Sequence, residues 1–287
     1  MKKIGFIGIG VMGGPIVNHI LNAGYEVFGY SRTKIKVQEQ ITNGMNWCET
    51  TSDVVKNTDI IFTMVGFPSD VEEVYLDNDG LLANSTPNQI FIDLTTSQPT
   101  LAKKIAQIAT EKSVFALDAP VTGGDVGAKN GTLAMMVGGD KNAFEIVKPI
   151  LELFTNKIFY FGNAGNGQHA KMANQTVIAS NLVGMAEGLA YAETTGLDME
   201  SMLEILCNGA AGSWQLTNNG PKALVDDFNP GFFSKHFLKD MKIALAEAEA
   251  LGLKLPSLKT TASSFEEIIA DGDGDLGTQV IYKKYKK

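Results

Sequence analysis

Three glycines at a fixed spacing are the first feature with chemical meaning. They occur in Gly8-Ile9-Gly10-Val11-Met12-Gly13, directly after an apolar run typical of a β-strand and before a helical pattern. In that context the first glycine permits a tight turn, the second lets the backbone approach a pyrophosphate, and the third allows close helix–strand packing. The N–H groups of the helix N-terminus also attract negative charge. We therefore predict that a dinucleotide binds at Gly8, Ile9, Gly10, Val11, Met12 and Gly13; the alternative is a turn that binds nothing.

The residues after the second predicted strand indicate which dinucleotide is used. Enzymes that use NAD normally have Asp or Glu there, for the 2′-hydroxyl of the adenosine ribose. This chain has Tyr30-Ser31-Arg32-Thr33 instead. Because a guanidinium can bind a 2′-phosphate in bidentate fashion, we predict that Ser31, Arg32 and Thr33 contact the cofactor and that NADPH is favoured over NADH. Alternatively, Arg32 only stacks on the adenine and both cofactors are used.

A lysine on an apolar helix is the candidate for proton transfer. Lys171 lies near the start of a long helical stretch with few charges, and Asn174 and Gln175 follow on the same helical face. Burial of an ammonium is costly unless it is paired or its pKa falls. A lysine with a lowered pKa is a good proton donor to a carbonyl oxygen that receives a hydride. The alternative is that Lys171 extends outward to solvent.

The segment Asp118-Ala-Pro-Val-Thr-Gly-Gly124, which follows a predicted strand, is a candidate anion site. Successive backbone N–H groups around Thr122, Gly123 and Gly124, together with the threonine hydroxyl, can form a concave site for a carboxylate. Two glycines after a strand are also common in an ordinary turn, and this alternative stays open.

The order of strands and helices predicts where these residues lie. Apolar strands and helical stretches alternate up to about Gly162, and several strands are continuous apolar runs, as expected when both faces are covered. The fold class is therefore predicted to be α/β, with an N-terminal Rossmann-type, doubly wound, mostly parallel sheet over residues 1–162. A long interdomain helix follows over 163–194, and an all-α domain for substrate binding and oligomerisation over 195–287. Such sheets bind ligands at the carboxyl ends of their strands.

Composition argues against several other classes of protein. The net charge is −8 without a basic stripe, so we expect neither a nucleic-acid nor a membrane partner. The two cysteines, Cys48 and Cys207, lack metal-type spacing, and no metal site is predicted. No apolar run reaches the roughly 18 residues of a membrane span, and no signal peptide is expected, so we expect a cytoplasmic protein. The lysine-rich end, Lys283–Lys287, is expected to be a frayed, solvated tail.

Four motifs in a fixed order resemble those of the β-hydroxyacid dehydrogenase family. They are Gly8–Gly13, Asp118–Gly124, Gly165-Asn-Gly-Gln-His-Ala-Lys-Met-Ala-Asn174 and Leu238-Lys239-Asp240. The family includes 3-hydroxyisobutyrate dehydrogenases, tartronate semialdehyde reductases and glyoxylate/succinic semialdehyde reductases. The resemblance covers essentially the whole chain.

The resemblance implies a role for each matching position. Lys171 matches the catalytic lysine, and Thr122, usually serine in this motif, would hold the substrate carboxylate with Gly123 and Gly124. Lys239 would approach the nicotinamide. The other implied positions are Asn174, Gln175, Phe232 and Asp240 for the substrate and Met64, Val65 and Thr96 for the cofactor. Homo-dimers or tetramers are usual in the family.

Two departures leave the substrate open. Four residues after the lysine, this chain has Gln175 where the 3-hydroxyisobutyrate enzymes have asparagine, and this resembles the tartronate semialdehyde reductases. Tyr30–Thr33, in contrast, resembles the semialdehyde reductases that use NADPH. The predicted activity is hydride transfer between a nicotinamide cofactor and a small β-hydroxyacid, semialdehyde or keto acid, with Lys171 as general acid/base. The alternatives are a decarboxylating dehydrogenase of the 6-phosphogluconate type and a non-catalytic, cofactor-binding regulator.

Overall fold

A computed structural model describes residues 2–286 and divides the chain into two compact units, one ending at Lys171 and the other beginning at Met172. The first unit is an α/β unit with a nine-stranded sheet. Its strands are β1 (Ile4–Ile7), β2 (Val27–Tyr30), β3 (Asn46–Trp47), β4 (Ile60–Thr63), β5 (Ile90–Asp93), β6 (Phe115–Asp118), β7 (Val121–Thr122), β8 (Leu133–Gly139) and β9 (Thr155–Tyr160). Its helices are α1 (Gly13–Asn22), α2 (Gln38–Thr42), α3 (Thr51–Asn57), α4 (Pro68–Leu76), α5 (Pro99–Glu111), α6 (Gly124–Asn130) and α7 (Lys141–Leu151). A short 3-10 helix spans Lys34–Val37.

The strand order is β3-β2-β1-β4-β5-β6-β8-β7, and β9 pairs with β8. The first six of these strands are parallel, whereas β8 is antiparallel to β6 and β7. The strand order reverses between β1 and β4, and a doubly wound sheet binds its ligands at the carboxyl ends of the strands beside such a reversal. The glycine turn after β1 and Met64 after β4 lie at this point.

Both faces of the central sheet are covered, because every residue of β1, β4 and β5 is buried. Alternate side chains along a strand point to opposite faces. They form two separate cores, one with Phe6, Phe62 and Ile92 and one with Ile7, Ile61 and Phe91. The apolar runs in the sequence therefore predicted these strands correctly. The prediction missed β3 and β7, which have only two residues each and too little length for a hydrophobic pattern.

Up to residue 286, the second unit is helical apart from one isolated bridge between Phe233 and Gly277. Helix α8 (Asn166–Thr194) begins in the first unit and continues into the second. It is followed by α9 (Met199–Asn208), α10 (Trp214–Leu224), α11 (Ser234–Ala250) and α12 (Pro256–Ala270). The Ser213 side chain accepts a hydrogen bond from the Leu216 N–H and caps the N-terminus of α10.

The expectation of a frayed tail was wrong for Lys283 and Lys284, which belong to a 3-10 helix, although both are exposed as expected. A 3-10 helix spans Thr278–Lys284, and Val280, Ile281 and Tyr282 are fully buried. The lysines that follow pair with acidic groups: Lys283 with Asp273, Lys284 with Glu267 and Lys286 with Asp226. Exposed ion pairs contribute little individually, so the apolar anchor is the main reason that this end is ordered. Within residues 2–286, no helix is both long and apolar enough to cross a membrane.

Candidate functional site

The glycine turn after β1 has the shape that a dinucleotide requires. Gly8 has φ +89°, and a Cβ there would overlap the Met64 carbonyl. A Cβ on Gly13 would lie 2.9 Å from Cε1 of Phe6, so this glycine lets α1 approach the strand. A Cβ on Gly10 would meet nothing within 4 Å. The turn is therefore closely packed at Gly8 and Gly13 and open at Gly10, where the pyrophosphate is expected.

Charge at this turn also fits an anion. The first turn of α1 contains no acidic residue, and its dipole favours negative charge. Val11 is 60% exposed and Ile9 is buried, while Met64 and Val65 at the end of β4 are half-buried. The predicted cofactor positions Gly8–Gly13, Met64 and Val65 thus lie at one edge of the sheet, after two neighbouring strands.

Arg32, after β2, has a carboxylate neighbour that the sequence did not reveal. Its side chain is 78% exposed, and Nη1 lies 3.5 Å from Oδ1 of Asp70 in α4. The other oxygen of Asp70 accepts a hydrogen bond from the Phe67 N–H at 3.0 Å, which fixes the carboxylate at the start of α4. Ser31 is half-buried and Thr33 is exposed. The exposed guanidinium is accessible to a phosphate, but Asp70 competes for it.

A buried polar network fixes the ends of β4 and β5. Oδ1 of Asp93 accepts hydrogen bonds from the Thr63 hydroxyl at 2.9 Å and the Thr95 N–H at 3.0 Å. The Thr95 hydroxyl in turn accepts a hydrogen bond from the Val65 N–H at 3.0 Å. Thr96, predicted to line the cofactor, is half-buried and directly follows Thr95. The network therefore sets the backbone beside two predicted cofactor positions, Val65 and Thr96.

The carboxylate of Asp118, at the end of β6, holds the N-terminus of α8. It accepts hydrogen bonds from the Gly165 N–H at 2.7 Å and the Gln168 N–H at 2.8 Å. The carbonyl of Gly165 accepts a hydrogen bond from the His169 N–H, so Gly165 is the cap residue of α8. The Asp118 carboxylate therefore satisfies the N–H groups of the cap residue and of the third helical residue, Gln168. Burial raises the pKa of Asp118 to about 6, although the two backbone hydrogen bonds act in the opposite direction.

Lys171 is held beside the segment that was predicted to bind a carboxylate. It is 6% exposed, and its Nζ donates a hydrogen bond to the Val121 carbonyl at 2.8 Å. The alternative that it extends outward to solvent is therefore wrong. Thr122 is half-buried in β7, and Gly123 and Gly124 have φ +127° and +65° at the start of α6. A positive φ at both positions is a conformation that glycine adopts without strain.

The second unit brings together four of its predicted residues. Gln175 is buried, and its Nε2 donates a hydrogen bond to Oδ2 of Asp240 at 2.7 Å. Nδ2 of Asn174 donates to Oε1 of Gln175 at 2.8 Å, and Nζ of Lys239 pairs with Oδ1 of Asp240 at 3.0 Å. Phe232 is 36% exposed and its ring contacts Phe237 edge-on. Both ends of the Gln175 amide are thus used inside the unit.

Comparison with known proteins identifies the family of this chain. The NAD-binding domain of 6-phosphogluconate dehydrogenase matches residues 3–162, and the NAD-binding domain of NADP-dependent 3-hydroxyisobutyrate dehydrogenase matches residues 165–285. The 2-hydroxy-3-oxopropionate reductase of Escherichia coli (strain K12) is 36% identical, over 96% of this chain and 94% of its own. The chain belongs to the β-hydroxyacid dehydrogenase family.

Two further members of the β-hydroxyacid dehydrogenase family agree with this. The probable 3-hydroxyisobutyrate dehydrogenase-like 1, mitochondrial, of Arabidopsis thaliana is 44% identical over 97% of this chain and 84% of its own. The solved structure of Mycobacterium tuberculosis 3-hydroxyisobutyrate dehydrogenase with L-serine has a TM-score of 0.92, at 30% identity and full coverage of both chains. The fold class predicted from the sequence is confirmed.

Membership of the β-hydroxyacid dehydrogenase family establishes the reaction class. The protein is an NAD(P)-dependent oxidoreductase that acts on small hydroxy acids or the corresponding carbonyl acids. Although one match is named for 6-phosphogluconate dehydrogenase, it covers only the cofactor domain. The comparisons favour neither the decarboxylating alternative nor the non-catalytic regulator.

Sequence reasoning assigned no role to three polar residues at this site. Asp70 was not considered, and Asp118 and Gln168 were recognised only as parts of motifs. Their contacts join residues far apart in the sequence, such as Gln168 and Thr95, which are 73 positions apart. A local motif does not encode such contacts.

Proposed function

We propose that this enzyme transfers a hydride reversibly between NADP(H) and a small semialdehyde or keto acid, with Lys171 as the general acid/base. The bound nicotinamide supplies or accepts the hydride. In the direction of reduction, the Lys171 ammonium donates a proton to the carbonyl oxygen as the hydride reaches the carbon. In the direction of oxidation, the Lys171 amine accepts the hydroxyl proton.

The observation that carries this proposal is the hydrogen bond from Lys171 to the Val121 carbonyl. It fixes a buried lysine one residue from Thr122, in the segment proposed to bind the substrate carboxylate. The bond holds Nζ of Lys171 at a defined position beside this segment. Anchoring the acid beside a fixed proton donor lowers the barrier because the reacting groups no longer need to be oriented in solution.

For the substrate, we propose an acid whose carboxylate binds to Thr122, Gly123 and Gly124. The relatives support small acids, since one is named for 2-hydroxy-3-oxopropionate and another was solved with L-serine. The substrate roles of Asn174, Gln175, Phe232 and Asp240, and the position of Lys239 near the nicotinamide, stay predictions. Assembly as a dimer or tetramer also stays a prediction.

For the cofactor, we propose that NADPH is preferred over NADH, with Arg32 as the phosphate-binding residue. Its exposure and the absence of a carboxylate in Ser31–Thr33 support this. Asp70 reduces the net positive charge at the site, so we expect a moderate preference.

The test is to follow NADPH and NADH absorbance with succinic semialdehyde, glyoxylate, methylmalonate semialdehyde and tartronate semialdehyde. The reverse reaction is assayed with 3-hydroxyisobutyrate and L-serine, and carbon dioxide release is measured in parallel. We expect turnover of at least one carbonyl acid, faster with NADPH, without carbon dioxide. No turnover of any of them by protein that binds NADPH would overturn the proposed substrate class. Stoichiometric carbon dioxide from a hydroxy acid would instead support decarboxylation.

A further inference from the structure

Gln168 is a fully buried residue that the proposed mechanism does not yet use. It is 0% exposed and lies three positions before Lys171 in α8. Nε2 donates a hydrogen bond to the Thr95 carbonyl at 2.7 Å, and Oε1 accepts one from the Ser97 N–H at 3.0 Å. The amide therefore binds the backbone of residues 95–97 at two points. A buried amide with both ends paired fixes its partners, since loss of either bond leaves a polar group unsatisfied.

The backbone that Gln168 binds is continuous with the predicted cofactor positions. Thr96 lies between the two bonded residues. The Thr95 hydroxyl also accepts a hydrogen bond from the Val65 N–H, and the Thr95 N–H donates one to Asp93. A shift of Gln168 would therefore move the loop beside Thr96 and relax the end of β4.

The backbone of Gln168 is held independently on the other side. Its N–H donates to Asp118, and three residues later Lys171 donates to Val121. Residues three apart on a helix share one face. The segment Asp118–Val121 thus fixes the first turn of α8 and the lysine, and the Gln168 side chain connects this turn to residues 95–97.

We propose that Gln168 is a positioning residue that sets the distance between Lys171 and the cofactor-lining loop at residues 95–97. This rests on the proposed function, in which Lys171 transfers the proton. Without the two amide bonds, Lys171 remains bound to Val121, but the loop is no longer held in a fixed position relative to it. Catalysis is sensitive to such a change because the donor and the reacting atoms must be aligned to within about 1 Å.

The chain offers a matched control in Gln89. This glutamine is also buried, its Nε2 donates to the carbonyls of Val55 and Thr58 at 2.8 Å, and its Oε1 accepts from the Thr86 N–H at 2.8 Å. It is in the same unit but contacts none of the proposed site residues. Gln89→Glu therefore imposes a similar structural cost without a change at Lys171.

The experiment compares Gln168→Glu and Gln89→Glu with wild type from pH 5.5 to 9, using the best substrate of the wild-type enzyme. An ionised carboxylate cannot donate to the Thr95 carbonyl, whereas a protonated carboxyl group can donate to it and accept from Ser97. Full burial and the Asp118 carboxylate at the Gln168 N–H should raise the pKa of the introduced carboxyl group, and this outweighs the Lys171 ammonium on the same helical face, which already bonds to Val121. We expect kcat of Gln168→Glu at pH 8 to be about 10- to 100-fold below wild type, with KM for the acid within about twofold. The deficit should shrink as the pH falls.

For Gln89→Glu, the ratio of kcat to that of wild type should stay close to one at every pH. An equal and pH-independent ratio for the two variants would overturn the positioning role. If Gln168→Glu does not fold, Gln168→Met and Gln89→Met replace the pair, and a wild-type kcat in Gln168→Met overturns the proposal. Failure of both Gln168 variants to fold, while both Gln89 variants fold, also overturns it, because Gln168 would then be required by the fold. Failure of the proposed function would give a different result: the wild-type enzyme would turn over none of the substrates, or Lys171→Met would remain active.

Discussion

The glycine turn after β1 and the surroundings of Lys171 lie in the same unit but are built in different ways. The turn consists of backbone, and it works because side chains are missing: Gly8 and Gly13 permit close packing, and Gly10 leaves open space. The surroundings of Lys171 consist of polar groups from the loop after β5 and from β6, β7 and α8 that are joined by hydrogen bonds. The first region needs only the correct shape. The second needs every partner, because an unpaired buried polar group is costly.

This difference predicts different consequences of substitution. A change in the glycine turn should alter cofactor binding or folding. A change around Lys171 should alter the chemical step while cofactor binding persists.

The largest effect should come from Lys171→Met, which keeps the length and the apolar stem but removes the proton donor. We expect kcat to fall by about 10²–10⁴-fold, the usual contribution of general acid–base catalysis. The dissociation constant for NADPH, measured by fluorescence titration, should remain within about threefold of wild type. Lys104→Met is the control, since Lys104 is exposed and pairs with Glu72 at the surface. Turnover near the wild-type rate in Lys171→Met would contradict the assigned role.

Asp118→Asn should change how stability depends on pH. The pKa of Asp118 is raised from 3.8 to about 6, so its contribution to stability is full below about pH 4 and is lost as the pH rises through 6. The shift of about two pH units corresponds to at most about 3 kcal/mol. Asparagine does not ionise, so the variant does not lose stability in this range. The free energy of unfolding of the variant minus that of wild type should therefore rise between pH 4 and 7.

Urea denaturation at a series of pH values measures this difference. Between pH 7 and 9 Asp118 stays ionised, and the difference between the two proteins should be constant there. A difference that does not change between pH 4 and 7 would show that Asp118 has an ordinary pKa. The ratio of the NADPH dissociation constants of Asp118→Asn and wild type should stay constant over this range, because the glycine turn is a separate region.

Gly8→Ala and Gly10→Ala separate folding from binding within the turn. Gly8 has a positive φ, and a Cβ there would overlap the Met64 carbonyl, so alanine should lower the free energy of unfolding by about 1–3 kcal/mol. Gly10 faces open space, so Gly10→Ala should keep wild-type stability within about 0.5 kcal/mol. It should nevertheless weaken NADPH binding about tenfold, or ~1.4 kcal/mol, because the methyl group enters the space left for the pyrophosphate. Equal loss of stability in both variants would contradict this distinction.

The two regions also differ in how far the sequence predicted them. The glycine turn and the strands around it were predicted because spacing, apolar runs and order along the chain are local. The network around Lys171 was predicted only at the lysine itself. Asp118 and Gly165 are 47 positions apart, and nothing in either segment indicates that they meet. The pairing depends on β6 and the start of α8 lying side by side, which is a property of the assembled sheet.

The smallest effects should concern the phosphate of the cofactor, where Arg32 and Asp70 are expected to act in opposite directions. Arg32→Ala removes the guanidinium and should weaken NADPH by about tenfold, since a hydrogen bond to a charged group is worth about 1.5–3 kcal/mol. NADH should change by less than about twofold. Asp70→Asn removes the competing charge but keeps an oxygen that can accept from Phe67, and it should strengthen NADPH a few-fold.

Dissociation constants for both cofactors, at two salt concentrations, decide between these roles. Opposite effects of the two variants on NADPH, both diminished by salt, are expected if the charges act on the phosphate. Equal weakening of NADPH and NADH by Arg32→Ala would mean that the guanidinium stacks on the adenine.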